Sequence, residues 1–300
     1  MNRARPAVVE APSVLGLRPS GVQDLPAALL GAGLLDRLGA DHAGRVDPPP
    51  YDPRRDPDTG VLNPDAIARY STDLADRVGA VLDSGRFPVV LGGDCTVLLG
   101  NLLALRRRGR PGLFFLDGHT DFYQPSAEPA GEAASMELAL ATGRGPRVLT
   151  DLEGRGPLVR DEDVAALGFR DTEESAEAGM QPLPPRLYAV GLDGLRTAGA
   201  ATAARDALDR LDRSGNDGHW VHLDADVLDD AVMPAVDYRQ PGGLSWAELE
   251  TVLGLALAAE GARGLGVTIF NPRLDPGGHL AARLTACLAR AFERHGPVRG

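Results

Sequence analysis

Residues 113–121 read Leu-Phe-Phe-Leu-Asp-Gly-His-Thr-Asp, a short apolar run followed by three potential metal ligands on alternate positions. An apolar run of this length, bounded by Gly112 and Asp117, is typical of a buried strand. Asp117, His119 and Asp121 then follow where the chain leaves the sheet. Carboxylate oxygens together with one imidazole suit Mn²⁺, and also Zn²⁺ or Fe²⁺. The stretch therefore predicts a strand that delivers metal ligands at its carboxyl end.

A second acidic pair follows another apolar run. The predicted strand Val221–Leu223 leads into Asp224-Ala225-Asp226, again with carboxylates on alternate positions. Taken alone, each acidic motif also fits a turn or a helix cap, where Asp is common. Together they favour bound cations, because four carboxylates in one crevice repel one another unless cations lie between them. Because side chains alternate along a strand, His222 is expected on the same face as Asp224. It would either donate a hydrogen bond to a carboxylate or be a core histidine bonded to a backbone carbonyl.

The rest of the chain alternates short apolar runs with helical patterns, which is typical of βαβ units around a buried parallel sheet. We expect strands at Ala7–Val9, Val89–Leu91, Leu113–Leu116, Val164–Leu167, Leu187–Val190, Val221–Leu223 and Gly266–Ile269. We expect helices at Leu25–Leu38, Pro64–Leu82, Val97–Arg107, Ser135–Thr142, Ala200–Asp212, Ser245–Ala259 and Leu280–Arg294. The segment 46–59, rich in proline and charge, is expected to be a surface loop rather than a linker. Residues 1–300 are therefore predicted to form one wound α/β domain.

Composition narrows the class of protein. The formal charge of −11 and the pI near 5.0 disfavour nucleic acid and anionic membranes as partners, since phosphate binding needs a clustered positive face. No apolar stretch is long enough for a membrane span, and no signal-type block follows the N-terminus, so a cytoplasmic location is expected. Cys95 and Cys287 are too few for a disulfide framework. All 31 basic residues are Arg, which excludes lysine Schiff-base catalysis and a P-loop of the usual type.

A third motif, Gly92-Gly93-Asp94-Cys95, follows the predicted strand Val89–Leu91. In order and spacing the three motifs resemble those of the ureohydrolase superfamily, the arginases and agmatinases. Those proteins carry Gly-Gly-Asp-His, Asp-x-His-x-Asp and Ser-x-Asp-x-Asp. The likeness covers nearly the whole chain and extends through Gly168–Asp171, Pro241–Ser245 and Asn271-Pro272.

The resemblance implies a three-layer α/β/α fold with a mostly parallel central sheet, and a centre of two Mn²⁺ ions. One ion would be held by Cys95, Asp117, Asp121 and Asp224, and the other by Asp117, His119, Asp224 and Asp226. A hydroxide bridging the ions would attack the trigonal carbon of a guanidino, hydroxyguanidino or amidino compound, and the C–N bond to the leaving nitrogen would then break. Asp121 would mediate proton transfer to the leaving group. The resemblance also implies a small-molecule substrate and a homo-oligomer.

The first ligand position departs from this family. Cys95 stands where the relatives have His, and a thiolate is a softer ligand that favours Zn²⁺ or Fe²⁺. If Cys95 is only a small buried thiol, the remaining ligands resemble the single-zinc site of the histone deacetylase-like amidohydrolases. A further alternative is a binding or assembly subunit that keeps the fold without catalysis.

The proton-shuttling His of the relatives is also missing. Residues 131–136 contain no His, and Glu132 is the nearest candidate for a general acid or base. The alternative is a solvated carboxylate in the first turn of a helix, which is favourable beside the helix dipole.

Substrate recognition is expected to differ as well. Ile269 stands where the relatives have a guanidinium-binding Glu. Either Glu132 or Asp237 supplies the counter-charge instead, or the substrate is a hydroxyguanidine, amidine or amide, which demands less of it. Tyr123 and Glu173 fall where arginases bind the rest of their substrate. The alternatives are that Tyr123 lines the pocket wall and that Glu173 is an exposed loop acid.

Overall fold

The centre of the protein is a sheet of eight parallel strands, seen in a computed structural model that describes residues 4–293. The strands are β1 (Pro6–Glu10), β2 (Asp41–Arg45), β3 (Phe87–Leu91), β4 (Gly112–Leu116), β5 (Val164–Leu167), β6 (Tyr188–Val190), β7 (His219–Asp224) and β8 (Ala262–Thr268). Their order across the sheet is β2-β1-β3-β8-β7-β4-β5-β6. Every named pairing between them is parallel, so each strand is followed by a crossover connection.

Helices cover both faces of this sheet. They are α1 (Leu25–Gly31), α2 (Leu34–Leu38), α3 (Pro64–Asp83), α4 (Val97–Arg106), α5 (Glu137–Ala141), α6 (Arg147–Thr150), α7 (Thr172–Glu177), α8 (Leu192–Ala198), α9 (Ala200–Ser214), α10 (Trp246–Ala258) and α11 (His279–Glu293). One apolar core lies between the sheet and α1, α2, α9, α10 and α11. A second core lies between the other face and α3, α4, α5 and α6. The predicted three-layer α/β/α fold with a parallel central sheet is confirmed.

The observed elements differ from the predicted ones in a broken helix and in an additional strand. The predicted helix Leu25–Leu38 is two helices, because Gly33 adopts a left-handed conformation with φ 82° and breaks the helical path. The strand β2 was not predicted, since its sequence Asp-His-Ala-Gly-Arg is polar. It lies at the edge of the sheet with partly exposed side chains, so it needs no apolar run.

The seven predicted strands each overlap an observed strand. The predicted helix Ser135–Thr142 starts later than expected, because residues 133–136 form a 3₁₀ turn before α5. The predicted end of the last helix, Arg294, lies outside the described residues. The loop 46–59 contains no helix and no named strand, as expected. Within residues 4–293, no helix combines the length and apolar character that a membrane span requires.

The middle of the sheet determines where the polar motifs meet. Strands β3, β8, β7 and β4 are consecutive neighbours, and three of them run directly into the three motifs. Leu116 pairs with Leu223, so Asp117 and Asp224 follow at matching heights on β4 and β7. Carboxyl ends of parallel strands lie at one edge of a sheet, where ligand crevices form in α/β proteins.

Candidate metal centre

The motif after β4 is folded by its own hydrogen bonds. Asp117 is 1% exposed, and its Oδ1 accepts a hydrogen bond of 2.7 Å from the backbone N–H of His119. Asp121 adopts a left-handed conformation with φ 43°, and its backbone carbonyl accepts hydrogen bonds from the N–H groups of Leu138 and Ala139. A non-glycine residue in this region is strained, and such strain concentrates at functional sites. The helix α5 thus holds the end of the motif in place.

The motif after β7 is joined directly to the first. The Oδ1 of Asp224 accepts a hydrogen bond of 2.8 Å from the N–H of Asp226, which turns the chain. The Oδ1 of Asp226 accepts a hydrogen bond of 3.1 Å from the N–H of Gly118. Its other oxygen lies 2.9 Å from Nδ1 of His119. Asp226 therefore connects the two acidic motifs.

The third motif reaches the same place through Cys95. A Cβ on Gly93 would lie 1.9 Å from the carbonyl oxygen of Ser13, so only glycine allows this close approach. Asp94 accepts a hydrogen bond of 2.7 Å from the Ser13 hydroxyl and stays outside the metal motif. Cys95 is 1% exposed, and its Sγ donates to Oδ2 of Asp224 at 2.8 Å.

The assembled side chains fit a divalent cation. One carboxylate oxygen of Asp117, one of Asp226 and a ring nitrogen of His119 lie within 4.8 Å of one another; we call these three residues the outer cluster. The Oδ2 of Asp117 is buried and makes no hydrogen bond to any of the described residues. Buried oxygen atoms without a donor are costly unless a cation or water satisfies them. Asp121 and Asp224 line a cavity together with His119 and Asp226. Neither Asp121 nor Asp224 belongs to a group of three or more ligand atoms that all lie within 4.8 Å of one another among the described residues.

Burial shapes the protonation of this centre. Burial, and then the neighbouring carboxylates, raise the pKa of Asp117, Asp121 and Asp224 well above the ordinary value of 3.8. Burial also acts to raise the pKa of Asp226, but the charge and hydrogen bond of His119 outweigh it, so that the pKa is lowered. The pKa of His119 is raised, because the attraction of Asp226 outweighs the effect of burial. Without a cation, the centre therefore favours protonated carboxyl groups around one ion pair.

A cavity of about 200 Å³ opens onto this centre. Acidic side chains dominate its polar lining, and Tyr123, Tyr238 and Ile269 supply apolar surface. The acids at its wall are Asp121, Glu128, Asp171, Glu174, Asp224 and Asp226. Ile269 has φ 69°, which is an outlier for a β-branched side chain.

Four of the predicted site residues do not line this cavity: the buried Asp117 and three further acids. Glu132 is buried and accepts hydrogen bonds from the backbone N–H of Arg18, at 3.1 Å, and from the hydroxyl of Tyr238. Glu173 is exposed on α7. Asp237 accepts hydrogen bonds from the Ser20 hydroxyl and from the Asn271 side chain and faces a neighbouring groove. The hydrogen bonds of Glu132 and Asp237 hold both carboxylates away from the cavity.

Several residues at the site were not predicted from the sequence. Asp171 lines the cavity, its Oδ2 accepts two hydrogen bonds from Thr120, and its Oδ1 is buried without a partner among the described residues. Glu174 lines the cavity next to the exposed Glu173. Glu137, at the start of α5, is fully buried. Its signal in the sequence was a single acid inside the apolar run that follows residue 135.

Comparison with known proteins places the chain among relatives of the same length. The profile of the Arginase family matches residues 20–292. An arginase of Staphylococcus aureus (strain MRSA252) is 25% identical over 296 residues, which cover 95% of this chain and 96% of that protein. The structure of the arginase from Bacillus caldovelox superposes with a TM-score of 0.85 at 25% identity, covering 98% of this chain and 99% of that one.

A more distant neighbour shares the fold alone. The proclavaminate amidino hydrolase from Streptomyces clavuligerus superposes with a TM-score of 0.70 at 18% identity, covering 100% of this chain and 94% of that one. The family profile spans most of the chain, and its match agrees with the fold and with the acidic motifs gathered at one sheet edge. The chain therefore belongs to the arginase family.

Proposed function

We propose that the protein is a metal-dependent hydrolase that cleaves a linear C–N bond in a guanidino, hydroxyguanidino or amidino compound. One observation carries the proposal: the ligand atoms of the outer cluster lie close together, and two of its residues, His119 and Asp226, line an acid-rich cavity. Family membership and the amidino hydrolase among the structural neighbours support the same reaction class.

The proposed metal ligands are Cys95, Asp117, His119, Asp121, Asp224 and Asp226. Bound divalent ions supply Lewis-acid activation of water. The hydrogen bond from the His119 N–H to Asp117 and the contact between His119 and Asp226 keep these side chains oriented before any ion binds. We propose two Mn²⁺ ions as the native cofactor, with Zn²⁺ or Fe²⁺ as alternatives favoured by the thiol of Cys95.

Asp121 is the proposed proton carrier. In the metal-free protein its pKa is raised well above 3.8 by burial and by the neighbouring acids. A carboxyl group with a raised pKa can accept the proton released by the attacking water and give it to the leaving nitrogen. Glu132 remains a second proposed acid or base. To act directly, it must exchange its hydrogen bond with Tyr238 for one with the substrate.

The charge of the cavity favours a cationic substrate. Glu128, Asp171 and Glu174 add negative charge around the outer cluster, and Asp171 offers a buried oxygen without a donor among the described residues. A planar guanidinium or amidinium group donates several N–H bonds and is matched by such carboxylates. Tyr123 lines the cavity and is a proposed contact for the rest of the substrate. Glu173 and Asp237 remain proposed contacts only for a substrate that extends beyond the cavity, since neither lines it. Ile269 contributes apolar surface, so the counter-charge is expected from the acids that line the same cavity.

A single-metal amidohydrolase is the second candidate function. The specific observation in its favour is that the three ligand atoms of the outer cluster lie close together, whereas Asp121 and Asp224 stand outside that group in the described structure. Three protein ligands and an open position are typical of catalytic zinc sites.

We further propose one catalytic domain over residues 1–300, a cytoplasmic location and a homo-oligomer, in keeping with the family.

Metal analysis followed by a substrate screen tests this proposal. Purified, untagged protein is stripped with a chelator, reloaded with Mn²⁺, Zn²⁺, Fe²⁺ or Ni²⁺, and assayed for release of ammonia, urea or amine. The panel comprises arginine, hydroxyarginine, agmatine, guanidino acids, amidino compounds and acylated amines. We expect turnover of a guanidino or amidino compound that requires metal and is lost in Asp226→Asn but kept in Asp230→Asn, whose carboxylate pairs with Arg239 outside the cavity. Turnover of acylated amines alone would support the second candidate. No turnover with any metal would refute both and leave a non-catalytic subunit.

A further inference from the structure

A second group of potential ligands lies next to the outer cluster and is more deeply buried. It consists of Cys95 after β3, Asp117 after β4, Glu137 at the start of α5 and His222 within β7, and we call it the deep cluster. One ligand atom from each of these side chains lies within 4.8 Å of the others. Glu137 and His222 do not line the cavity, so they have no direct access to a substrate bound there.

The polar atoms of the deep cluster are poorly satisfied by the protein itself. Glu137 and His222 are both 0% exposed. Both carboxylate oxygens of Glu137, both ring nitrogens of His222 and Oδ2 of Asp117 lack a hydrogen-bond partner among residues 4–293. A buried polar group without a partner is costly, and an unpaired charge is costlier still. A cation between these side chains would satisfy the oxygen atoms of Glu137 and Asp117 and one ring nitrogen of His222.

An ion pair between Glu137 and His222 does not satisfy these atoms. The His222 Nε2 and Glu137 Oε1 atoms are 3.1 Å apart, yet they do not form a hydrogen bond with acceptable geometry. The His222 ring stacks on Phe115, with centroids 5.0 Å apart and planes 10° apart, and this packing fixes its orientation. A neutral imidazole held with Nε2 towards two carboxylates is the form that binds a metal.

The donor set itself suits a transition metal. A thiol, an imidazole and two carboxylates make four ligands of the kinds that bind Zn²⁺ in tetrahedral geometry. Ligand atoms of one tetrahedral Zn²⁺ are about 3.3–3.6 Å apart, given Zn–N and Zn–S distances of about 2.0–2.3 Å. The present separations are of that order or somewhat larger, so rotation of the Cys95 and Glu137 side chains would complete the set.

Asp117 connects the deep cluster to the outer one. Its Oδ1 lies 3.8 Å from Nδ1 of His119, and its Oδ2 lies 4.0 Å from Nε2 of His222. One carboxylate can thus offer an oxygen to each of two neighbouring ions. The Cys95 thiol donates to Asp224, and metal binding would replace that donor while its proton passes to solvent.

We propose that Cys95, Asp117, Glu137 and His222 bind one divalent transition-metal ion, with Zn²⁺ as the best-suited ion, and that Asp117 bridges this ion to the outer cluster. The inference rests on the proposed function only for the role of this ion in hydrolysis; the binding site itself stands on the burial and spacing of the four side chains. This ion takes the place of the one that the family resemblance assigns to Cys95, Asp117, Asp121 and Asp224, with Glu137 and His222 as ligands instead of Asp121 and Asp224.

Cobalt absorption tests whether Cys95 is a ligand. Untagged, chelator-treated protein is titrated with Co²⁺, and a thiolate-to-metal charge-transfer band is expected in wild type and in Cys287→Ser. Cys287 is the matched control, because it is a second buried cysteine outside any disulfide. The band should disappear in Cys95→Ser. A wild-type protein that binds Co²⁺ without this band would overturn the proposal.

X-ray absorption identifies the imidazole. A His119→Ala background removes the imidazole of the outer cluster, and one equivalent of Zn²⁺ is added to the untagged protein. We expect a zinc ion with one sulfur and one imidazole ligand. The imidazole signature should vanish in His119→Ala/His222→Gln and persist in His119→Ala/His219→Gln, since His219 is a buried histidine at the other end of the same strand. Persistence after loss of His222 would overturn the proposal, and so would an imidazole-free spectrum in the background variant.

Glu137→Gln tests the remaining ligand with almost no change in shape. The Co²⁺ affinity reported by the charge-transfer band should fall at least about tenfold, because even residues that only orient a ligand contribute about 10–100-fold. Glu250→Gln is the matched control, since Glu250 is nearly buried but pairs with Arg290 elsewhere. Unchanged affinity in Glu137→Gln would count against Glu137 as a ligand.

These readouts separate the two proposals. A protein that hydrolyses guanidino compounds but shows no cobalt–thiolate band refutes the deep site, and Cys95 as a metal ligand with it, but leaves the proposed reaction standing. A protein with the band and with zinc bound to His222, but without turnover on the substrate panel, refutes the proposed function alone. Circular dichroism of each variant verifies that the fold is kept.

Discussion

Asp226 is the residue that connects the two acidic motifs, through the Gly118 N–H and the His119 ring. We expect Asp226→Asn to lower kcat/KM by more than about 100-fold, because even loss of residues that orient metal ligands costs about 10–100-fold. Removing the carboxylate also leaves His119 without its counter-charge, so its raised pKa should fall. Steady-state kinetics and NMR titration of the His119 ring measure the two effects. A variant with wild-type kinetics would show that Asp226 is not part of the reactive centre.

Glu174 and Glu177 are two exposed acids on the helix α7 that differ in their position relative to the cavity. Glu174 lines the cavity, whereas Glu177 does not. We expect Glu174→Gln to raise KM for a cationic substrate up to about tenfold with kcat nearly unchanged, since an exposed charge contact contributes about 0–1 kcal/mol and a partly shielded one somewhat more. Glu177→Gln should leave KM unaltered. Equal effects of the two substitutions would show that only the overall charge matters.

For single residues, the sequence predicted which side chains are potential metal ligands, but it did not predict which other side chains lie around them. Asp117, Asp224 and Cys95 were expected at one edge of the sheet because each follows an apolar run, and the structure brings them together. Glu137 was not found, because its position depends on how α5 packs against the sheet rather than on a local pattern. Glu132 lies only five residues away but is turned towards Tyr238 by a hydrogen bond that no sequence pattern predicts.

The connection after β3 shows how an element positions the site. Gly93 sits against the Ser13 carbonyl, and the N–H of Asp94 donates to that same carbonyl at 3.0 Å. We expect Gly93→Ala to cost at least about 1–3 kcal/mol of the free energy of unfolding, because backbone must shift to admit the methyl group. The shift should also weaken metal binding through Cys95. Chemical denaturation and metal titration of the variant provide both measurements.

Gly31→Ala is the matched control for this substitution. Gly31 ends α1, and a Cβ there meets nothing within 4 Å. Alanine should therefore stabilise the protein by up to about 0.5–1 kcal/mol, as expected for a glycine removed from a helix. A destabilisation equal to that of Gly93→Ala would mean that the close approach to Ser13 is not the cause.

Elements with an apolar period were predicted well, and those without one were not. The strands β4 and β7 are buried on both faces and read as apolar runs. The edge strand β2 and the short helix α8 lack an apolar period. They form because of their contacts with neighbouring elements, such as the pairing of β2 with β1, rather than because of a local sequence pattern. The break between α1 and α2 depends on the left-handed conformation of Gly33. It was not predicted, because the apolar pattern continues across the whole segment.

The whole molecule should respond to pH through its buried acids. The pKa values of Asp117, Asp121 and Asp224 are raised well above 3.8, so the folded state keeps protons that the unfolded chain releases. The stability that these groups contribute is present below the unfolded pKa and is lost as pH rises through the folded pKa. His119, whose pKa is also raised above 6.5, has the same sign.

The window for this measurement lies above about pH 7.5, one unit above the ordinary pKa of histidine. Burial lowers the pKa of His219 to about 4 and that of His222 to about 3, so both are neutral in folded and unfolded protein above this pH and contribute a constant amount. The Tm of metal-free protein should therefore fall from about pH 7.5 to about pH 9. Saturating divalent metal should reduce or reverse this fall, because cations favour the ionised ligands. A Tm that is independent of pH and metal would contradict the assignment.

The fold class followed from the alternation of strands and helices, which depends on burial alone. The substrate could not be predicted from the sequence, because it depends on which acids face the cavity, and the two neighbours Glu173 and Glu174 differ in this respect.

One measurement tests the central claim most directly: the rate of ammonia or urea release from guanidino and amidino compounds, determined against the number of metal ions bound per chain. We predict that turnover is absent in metal-free protein, rises in proportion to bound metal and is abolished in Asp226→Asn. Equal turnover in metal-free and metal-loaded protein, or none in either, would contradict it.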